Sequence, residues 1–304
     1  MTEADDIDLV RTAHLPSAER RALERATARG EYERIRPGVL VRRGSTTGLR
    51  PDQRHVLLVR ASLPRLRPQD RLSHESACAV LGLPVVGSWP SRVHVADPSA
   101  DGTRVSAWFV RHGVASRPPS DHRDHRGLPT TSPARTAVDI ASSRPLLLAL
   151  PVLDHVLRWR CATTEDLGRE VGLLGPKGRS KAASAVAMGS PRSDSPAESM
   201  CRVRFRLLGT PEPEQQHVFS RPGERTAVVD FWFPDHGVVV EVDGRAKYGT
   251  AAADVAAAHW QEKQREDFVR SFPEVRTVVR VVWTDLVEPE RLRAKLLRAG
   301  VPCS

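Results

Sequence analysis

Residues 226–244 read TAVVDFWFPDHGVVVEVDG, and the rest of the chain is interpretable from this stretch outward. Val229, Phe231 and Phe233 alternate with Val228, Asp230 and Trp232; after the Pro/Gly turn, Val238, Val240 and Val242 alternate with Val239, Glu241 and Asp243. Period-two alternation on both sides of a short turn predicts a β-hairpin. The turn 234–237 makes Phe233 and Val238 partners, and counting back from that pair places Asp230 opposite Glu241 on the same face, with Asp243 one pleat further on. Opposed side chains in a hairpin have Cβ atoms ~4.5–5.5 Å apart, where like charges destabilise. A divalent cation removes that penalty, because hard cations bind through carboxylate oxygens. The acidic face is therefore a candidate metal pocket.

The wider composition bounds the partners. The chain has 304 residues, a net charge of +9 and 40% hydrophobic residues, with a sequence pI of about 10.1. That length predicts two or three domains, and the basic balance favours an anionic partner, DNA first. The basic residues are mostly arginine, with lysine only at Lys177, Lys181, Lys247, Lys263 and Lys295. Cys78, Cys161, Cys201 and Cys303 lie far apart without a C-x-x-C pair, which argues for reduced thiols in a cytoplasmic protein. The acidic start MTEADDIDLV has no apolar core of a signal peptide, and the apolar run at 146–150 is too short to span a bilayer.

The expected class is mixed α/β (α+β) and multidomain. Residues 1–48 read as a winged helix-turn-helix: a short helix at 5–12, a second at 16–28 stopped by Gly30, then a two-stranded wing turning at Pro37-Gly38. Arg20, Arg21 and Arg25 on the second helix and Arg36 on the wing are candidate DNA-backbone contacts; alternatively, such arginines only solvate a surface helix. Residues 49–189 form an α+β middle domain and linker. Within it, 72–83 reads as a helix in which Ser73 caps and Ser76 packs, and Asp121-His-Arg-Asp-His125 reads as a solvated loop. Residues 190–304 carry the order αβββαβα. Ser195-Pro-Ala-Glu198 is a capping box opening the first of those helices. Glu198 has two compatible roles there, as the cap's acidic partner and as a further carboxylate aimed at the hairpin.

An αβββαβ core with Asp230, then Glu241-x-Asp243 on the next strand, resembles the PD-(D/E)XK nuclease superfamily. Ser-Pro-Ala-Glu-Ser199, Glu241-Val-Asp-Gly244, Lys247-Tyr-Gly249, Glu262-Lys-Gln-Arg-Glu-Asp267 and Val279-Arg-Val-Val-Trp283 are similar to a domain family related to very-short-patch-repair (Vsr) endonucleases. The resemblance implies a restriction-endonuclease-like core in which Asp230, Glu241, Glu198 and the carbonyl of Val242 hold Mg²⁺ or Mn²⁺. Asp243 occupies the position that the motif reserves for lysine; Lys247 is the candidate replacement as electrophilic helper, and Lys263 a further cation and DNA contact. Upstream, Arg36-Pro-Gly-Val39, Leu72-Ser-His-Glu-Ser-Ala77 and Thr131-Ser-Pro-Ala-Arg-Thr136 resemble the AbiEi-type antitoxin region.

Two functions follow from these readings. One is a Mg²⁺-dependent DNA endonuclease or nickase guided by an N-terminal DNA-binding module. The other is a non-catalytic DNA-binding antitoxin or transcriptional regulator with a degenerate nuclease domain, for which a cognate toxin, a repair partner and a second copy of the chain (a homodimer) are the candidate partners.

Overall fold

The computed structural model describes residues 4–117, 122–125, 127–243 and 252–304. It divides into two compact units, residues 1–143 with 162–183 and residues 144–161 with 184–304. Both mix helix with sheet, so the chain is a multidomain α/β protein as its pattern predicts. Among the described residues, no helix is long and apolar enough to cross a membrane.

The first unit begins with β1 (Val10–Arg11), α1 (Ser17–Ala28), β2 (Tyr32–Arg36), β3 (Val39–Arg42) and α2 (Pro51–Ser62). The three strands form one sheet in the order β1-β3-β2. The helix expected at 5–12 is not formed. Val10 and Arg11 instead pair with Leu40 and Val39, while Ile7 and Leu9 pack against buried Val41, Leu49 and Leu57. The Arg11 guanidinium donates to the carbonyls of Arg60 and Ala61 at 2.8 and 3.2 Å. A cation at the carbonyl end of α2 is favoured by the helix dipole, which ties this segment down as an extended strand.

The chain continues with β4 (Arg71–Leu72), α3 (His74–Leu81), β5 (Val93–Asp97), β6 (Thr103–Val105), β7 (Phe109–Gly113), β8 (His122–His125), β9 (Leu128–Thr131) and α4 (Pro133–Ser143). These strands make a six-stranded mixed sheet in the order β6-β7-β5-β4-β9-β8. Residues 122–125, expected in a loop, pair antiparallel with β9 as an edge strand. Val59, Leu72, Val80, Val93, Val95, Trp108, Phe109 and Leu128 form the core beneath the sheet. Helix α5 (Leu146–Arg158) belongs to the second unit, and α6 (Thr164–Gly172) to the first. Arg135, 2% exposed, pairs with buried Glu170 at 2.8 Å, and Arg117 pairs with Asp139 at 2.7 Å. Buried charges are tolerated only when paired in this way. Helix α7 (Pro176–Met188) follows, with non-helical backbone at Lys177 and Gly178.

The second unit is built on α8 (Pro196–Leu207), β10 (Glu214–Ser220), β11 (Thr226–Phe233), β12 (Val238–Val242), α9 (Ala252–Arg270), β13 (Thr277–Val281), α10 (Trp283–Val287) and α11 (Pro289–Ala299). Strands β10 to β13 lie in sequential order; the first three are antiparallel and β12–β13 is parallel. The hairpin register is the one its alternation predicts, with Phe231, Trp232 and Phe233 opposite Val240, Val239 and Val238. Gly237 closes the turn at φ +63°, and an added Cβ there would lie 2.6 Å from the Glu274 carbonyl, so both conformation and space call for glycine.

The two faces of this sheet follow from the alternation. Phe205 of α8 packs edge-on against Phe231 and Phe233 at 5.2 and 5.3 Å. Phe268 of α9 and Phe272, just past its end, join Phe219, Trp232 and Val239 in a second apolar cluster. Edge-to-face aromatic pairs of this kind add ~0.5–1.5 kcal/mol beyond their buried area. The last strand ends at Val281 rather than Trp283. The Val282 N–H donates to the buried Asp285 carboxylate at 2.9 Å, and Lys295 holds that carboxylate at 2.6 Å, which starts α10 at once.

Candidate functional site

The β11–β12 register runs from Phe231–Val240 to Phe233–Val238, and the acids beyond it have protein groups as partners. Asp230 Oδ2 accepts the backbone N–H of Val242 at 2.7 Å. Val242 closes β12 opposite Val281. Glu241, 9% exposed, has its carboxylate against Arg265 of α9, whose Nη1 donates at 2.9 Å. The same guanidinium donates to the Val228 carbonyl at 2.9 Å and to both Glu262 oxygens at 2.8 and 3.1 Å. Arg265 therefore clasps β11, β12 and its own helix together. Side chains at i and i+3 share a helix face, which is why Glu262 and Arg265 reach the sheet together.

Glu198 performs the capping role. Its N–H donates to Ser195 Oγ at 3.2 Å; its carboxylate accepts from Ser195 Oγ at 2.7 Å, from the Asp194 N–H at 2.9 Å and from Gln216 Nε2 at 3.0 Å. It also feels the hairpin. Burial, followed by the charge of Asp230, pushes the Glu198 carboxyl up to about 7. Burial and Asp230 likewise push Glu241 up to about 7, with Arg265 pulling the other way. Asp230 is thus the common neighbour of two buried glutamates, Glu198 and Glu241.

Asp243 stands outside this group. Its carboxylate is half exposed and meets Arg280 of β13 at 3.4 Å. Arg280, the register partner of Glu241, also reaches Glu266 at 2.5 Å and Glu262 at 3.4 Å. Lys263 is exposed on α9; Lys247 lies outside the described residues. A metal nuclease centre needs carboxylate oxygens turned on an ion. Here Glu198 is spent on its cap, Asp230 holds a backbone N–H and Glu241 holds a guanidinium. The donor set does not fit Mg²⁺ without displacing Arg265. Reading the sequence for metal ligands overlooked Arg265, although the charged run Glu262-Lys-Gln-Arg-Glu-Asp267 contains it.

In the first unit, α1 is almost wholly solvent-facing, with only Ala26 buried. Arg20, Arg21 and Arg25 are exposed along it, and Arg34, Arg42 and Arg43 are exposed on the β2–β3 hairpin. Arg36 is not available as a surface contact. It is 9% exposed, its guanidinium lies over the Trp108 ring at 5.2 Å, and it donates to the Trp108 carbonyl at 3.4 Å. Ser73 precedes α3 as expected, yet its hydroxyl makes no cap hydrogen bond. Its Oγ lies 3.1 Å from His74 Nδ1 instead, and Ser76 Oγ accepts the His94 N–H at 2.8 Å.

No curated protein matches this chain. Among solved structures, it is similar to the RV2827C protein from Mycobacterium tuberculosis, with 17% sequence identity and a TM-score of 0.40 over 65% of this chain and 76% of that one. Residues 73–186, which hold most of the six-stranded sheet with α3 and α4, match the family model of the AbiEi antitoxin C-terminal domain.

Proposed function

We propose that the chain is a DNA-binding regulator of the AbiEi antitoxin type, acting in the cytoplasm with a cognate toxin. The observation that carries this reading is the match of residues 73–186 to the AbiEi antitoxin C-terminal domain. The exposed arginines of α1 and of the β2–β3 hairpin support it, since guanidinium groups on one helix and an adjacent hairpin suit phosphate contact without base chemistry. In this reading the second unit keeps a nuclease-like acidic pocket whose counter-charge is Arg265. The test is a mobility-shift titration of duplex DNA from the region upstream of the coding sequence, run in EDTA. The wild type shifts the duplex and the Arg20→Ala/Arg21→Ala/Arg25→Ala variant does not. A shift that requires Mg²⁺, or one unchanged in the triple variant, removes the proposal.

A second reading, a metal-dependent endonuclease or nickase, is favoured by one observation: Glu198 and Glu241 are both pushed up to about 7 beside Asp230. An ion that displaced Arg265 would relieve that strain. In this reading Asp230, Glu241, Glu198 and the Val242 carbonyl hold Mg²⁺ or Mn²⁺. Plasmid incubated with Mg²⁺ or Mn²⁺ then becomes nicked by the wild type but not by Asp230→Ala/Glu241→Ala. Equal survival of supercoiled plasmid with both proteins ends this reading.

A further inference from the structure

Three histidines from separate parts of the first unit meet at one point. His74 opens α3, while His94 and His112 lie on the neighbouring parallel strands β5 and β7. Register pairs Val110 with His94 and His112 with Ala96. The two histidines are therefore diagonal neighbours on one face, within reach of each other's long side chains. One ring nitrogen from each of His74, His94 and His112 lies within 4.8 Å of the other two. His94 Nδ1 and His112 Nε2 are already 3.1 Å apart.

A hydrogen bond between two neutral imidazoles accounts for that last pair but not for the third ring. His74 is brought in at a backbone cost. Its φ is +48°, in the left-handed region that non-glycine residues seldom occupy. Its ring stacks on His112 with centroids 3.7 Å apart. Two further polar groups stand beside the rings. Ser73 Oγ is 3.1 Å from His74 Nδ1. The carboxylate of Glu75, 2% exposed, lies 3.4 Å from His94 Nδ1. His74 and His112 border a cleft of about 990 Å³, also lined by Arg117, Asp139, Lys177 and Lys181.

We propose that His74, His94 and His112 bind a first-row transition-metal dication, zinc foremost. Imidazole nitrogens suit this class of ion, whereas Mg²⁺ takes oxygen ligands. Zn–N bonds of ~2.0–2.1 Å in a tetrahedron put ligand nitrogens ~3.3–3.4 Å apart. One pair is near that spacing, and the third nitrogen needs only a ring rotation to reach it. The ion must lie close to the plane of each ring, so binding unstacks His74 from His112. Three protein ligands leave a fourth position for water or an anion from the cleft. Glu75 faces the same His94 Nδ1 at 3.4 Å, so its carboxylate adds negative charge beside the ion's position rather than orienting the ring from behind. This site is separate from the acidic hairpin and does not depend on the regulatory reading above.

The test uses the untagged full-length protein, stripped with EDTA and titrated with ZnCl₂ by calorimetry. It binds about one Zn²⁺ per chain. His94→Ala and His112→Ala each weaken binding by at least ~tenfold. Should a histidine variant fail to fold, wild-type histidine ring resonances are followed by NMR during the same titration, and three rings shift together. The proposal is overturned if the wild type binds no zinc, if folded His94→Ala and His112→Ala bind it as the wild type does, or if fewer than three histidine rings respond.

Discussion

Replacing Arg265 by methionine removes the cation that bridges Glu241 and Glu262 while keeping most of the apolar stem. The expected cost depends on pH in a direction set by Glu241. Its folded-state carboxyl stands at about 7 against an ordinary 4.5, a rise corresponding to ~3 kcal/mol. A raised carboxyl favours the fold fully below its unfolded value, and that contribution is lost as pH rises through about 7. Without Arg265 the carboxyl rises further, so the variant loses most above neutrality. Removing one member of a fully buried pair costs ~3–5 kcal/mol. The Arg265 side chain is 28% exposed and that of Glu241 11%, which lowers the expectation to ~2 kcal/mol near pH 8. Near pH 5.5 Glu241 is protonated, and the cost falls to ~1 kcal/mol or less. Thermal melts of wild type and Arg265→Met at the two pH values measure this difference. An equal loss at both, or a larger loss at the acid end, refutes the assignment of Arg265 as the counter-charge of the pocket.

Further outcomes follow from other buried groups. His55, held at about 4 mainly by burial and placed 2.8 Å from Ser76 Oγ, is neutral in the fold. Its contribution is present above 6.5 and lost as pH falls through 4, so acid weakens the protein by up to ~3 kcal/mol over that window; His55→Gln flattens this limb in urea titrations at successive pH values. In the second unit, Arg202 pairs with Asp154 at 2.8 Å, both buried. Arg202→Met leaves that carboxylate unpaired and costs ~3–5 kcal/mol, while Arg202→Met/Asp154→Leu recovers most of the loss; chemical denaturation distinguishes the two.

The hairpin was legible because three local signals agree: period-two alternation, a Pro/Gly turn of fixed length, and acids on one parity. The helices ending at Gly82 and Gly209 were legible for a similar reason, since caps and breakers act within a few residues. What escaped lies between distant elements. Arg265 is 24 residues from Glu241, and no local pattern says that a guanidinium rather than an ion will answer the acids. Arg36 alternates like any edge-strand arginine, and only the placement of Trp108 beside it shows that it is covered. The two-residue strand β1 is too short to carry a period. Leu72-Ser-His-Glu-Ser-Ala77 read as a cap and a packed serine, because His94 and His112 join His74 only through the order of the six-stranded sheet. The convergent histidines are spread along the chain, so no local motif marks them.

The central claim, that the chain holds DNA through the arginines of α1 without a metal, is tested most directly by the salt dependence of binding. Fluorescence anisotropy of a labelled duplex is measured in EDTA across a range of KCl concentrations, for the wild type and for Arg20→Ala/Arg21→Ala/Arg25→Ala. Each phosphate contact contributes ~0.9 to the slope of log K against log salt. The account predicts wild-type binding in EDTA and a slope shallower by ~2–3 in the triple variant. An identical slope in the two proteins, or no binding until Mg²⁺ is supplied, contradicts it.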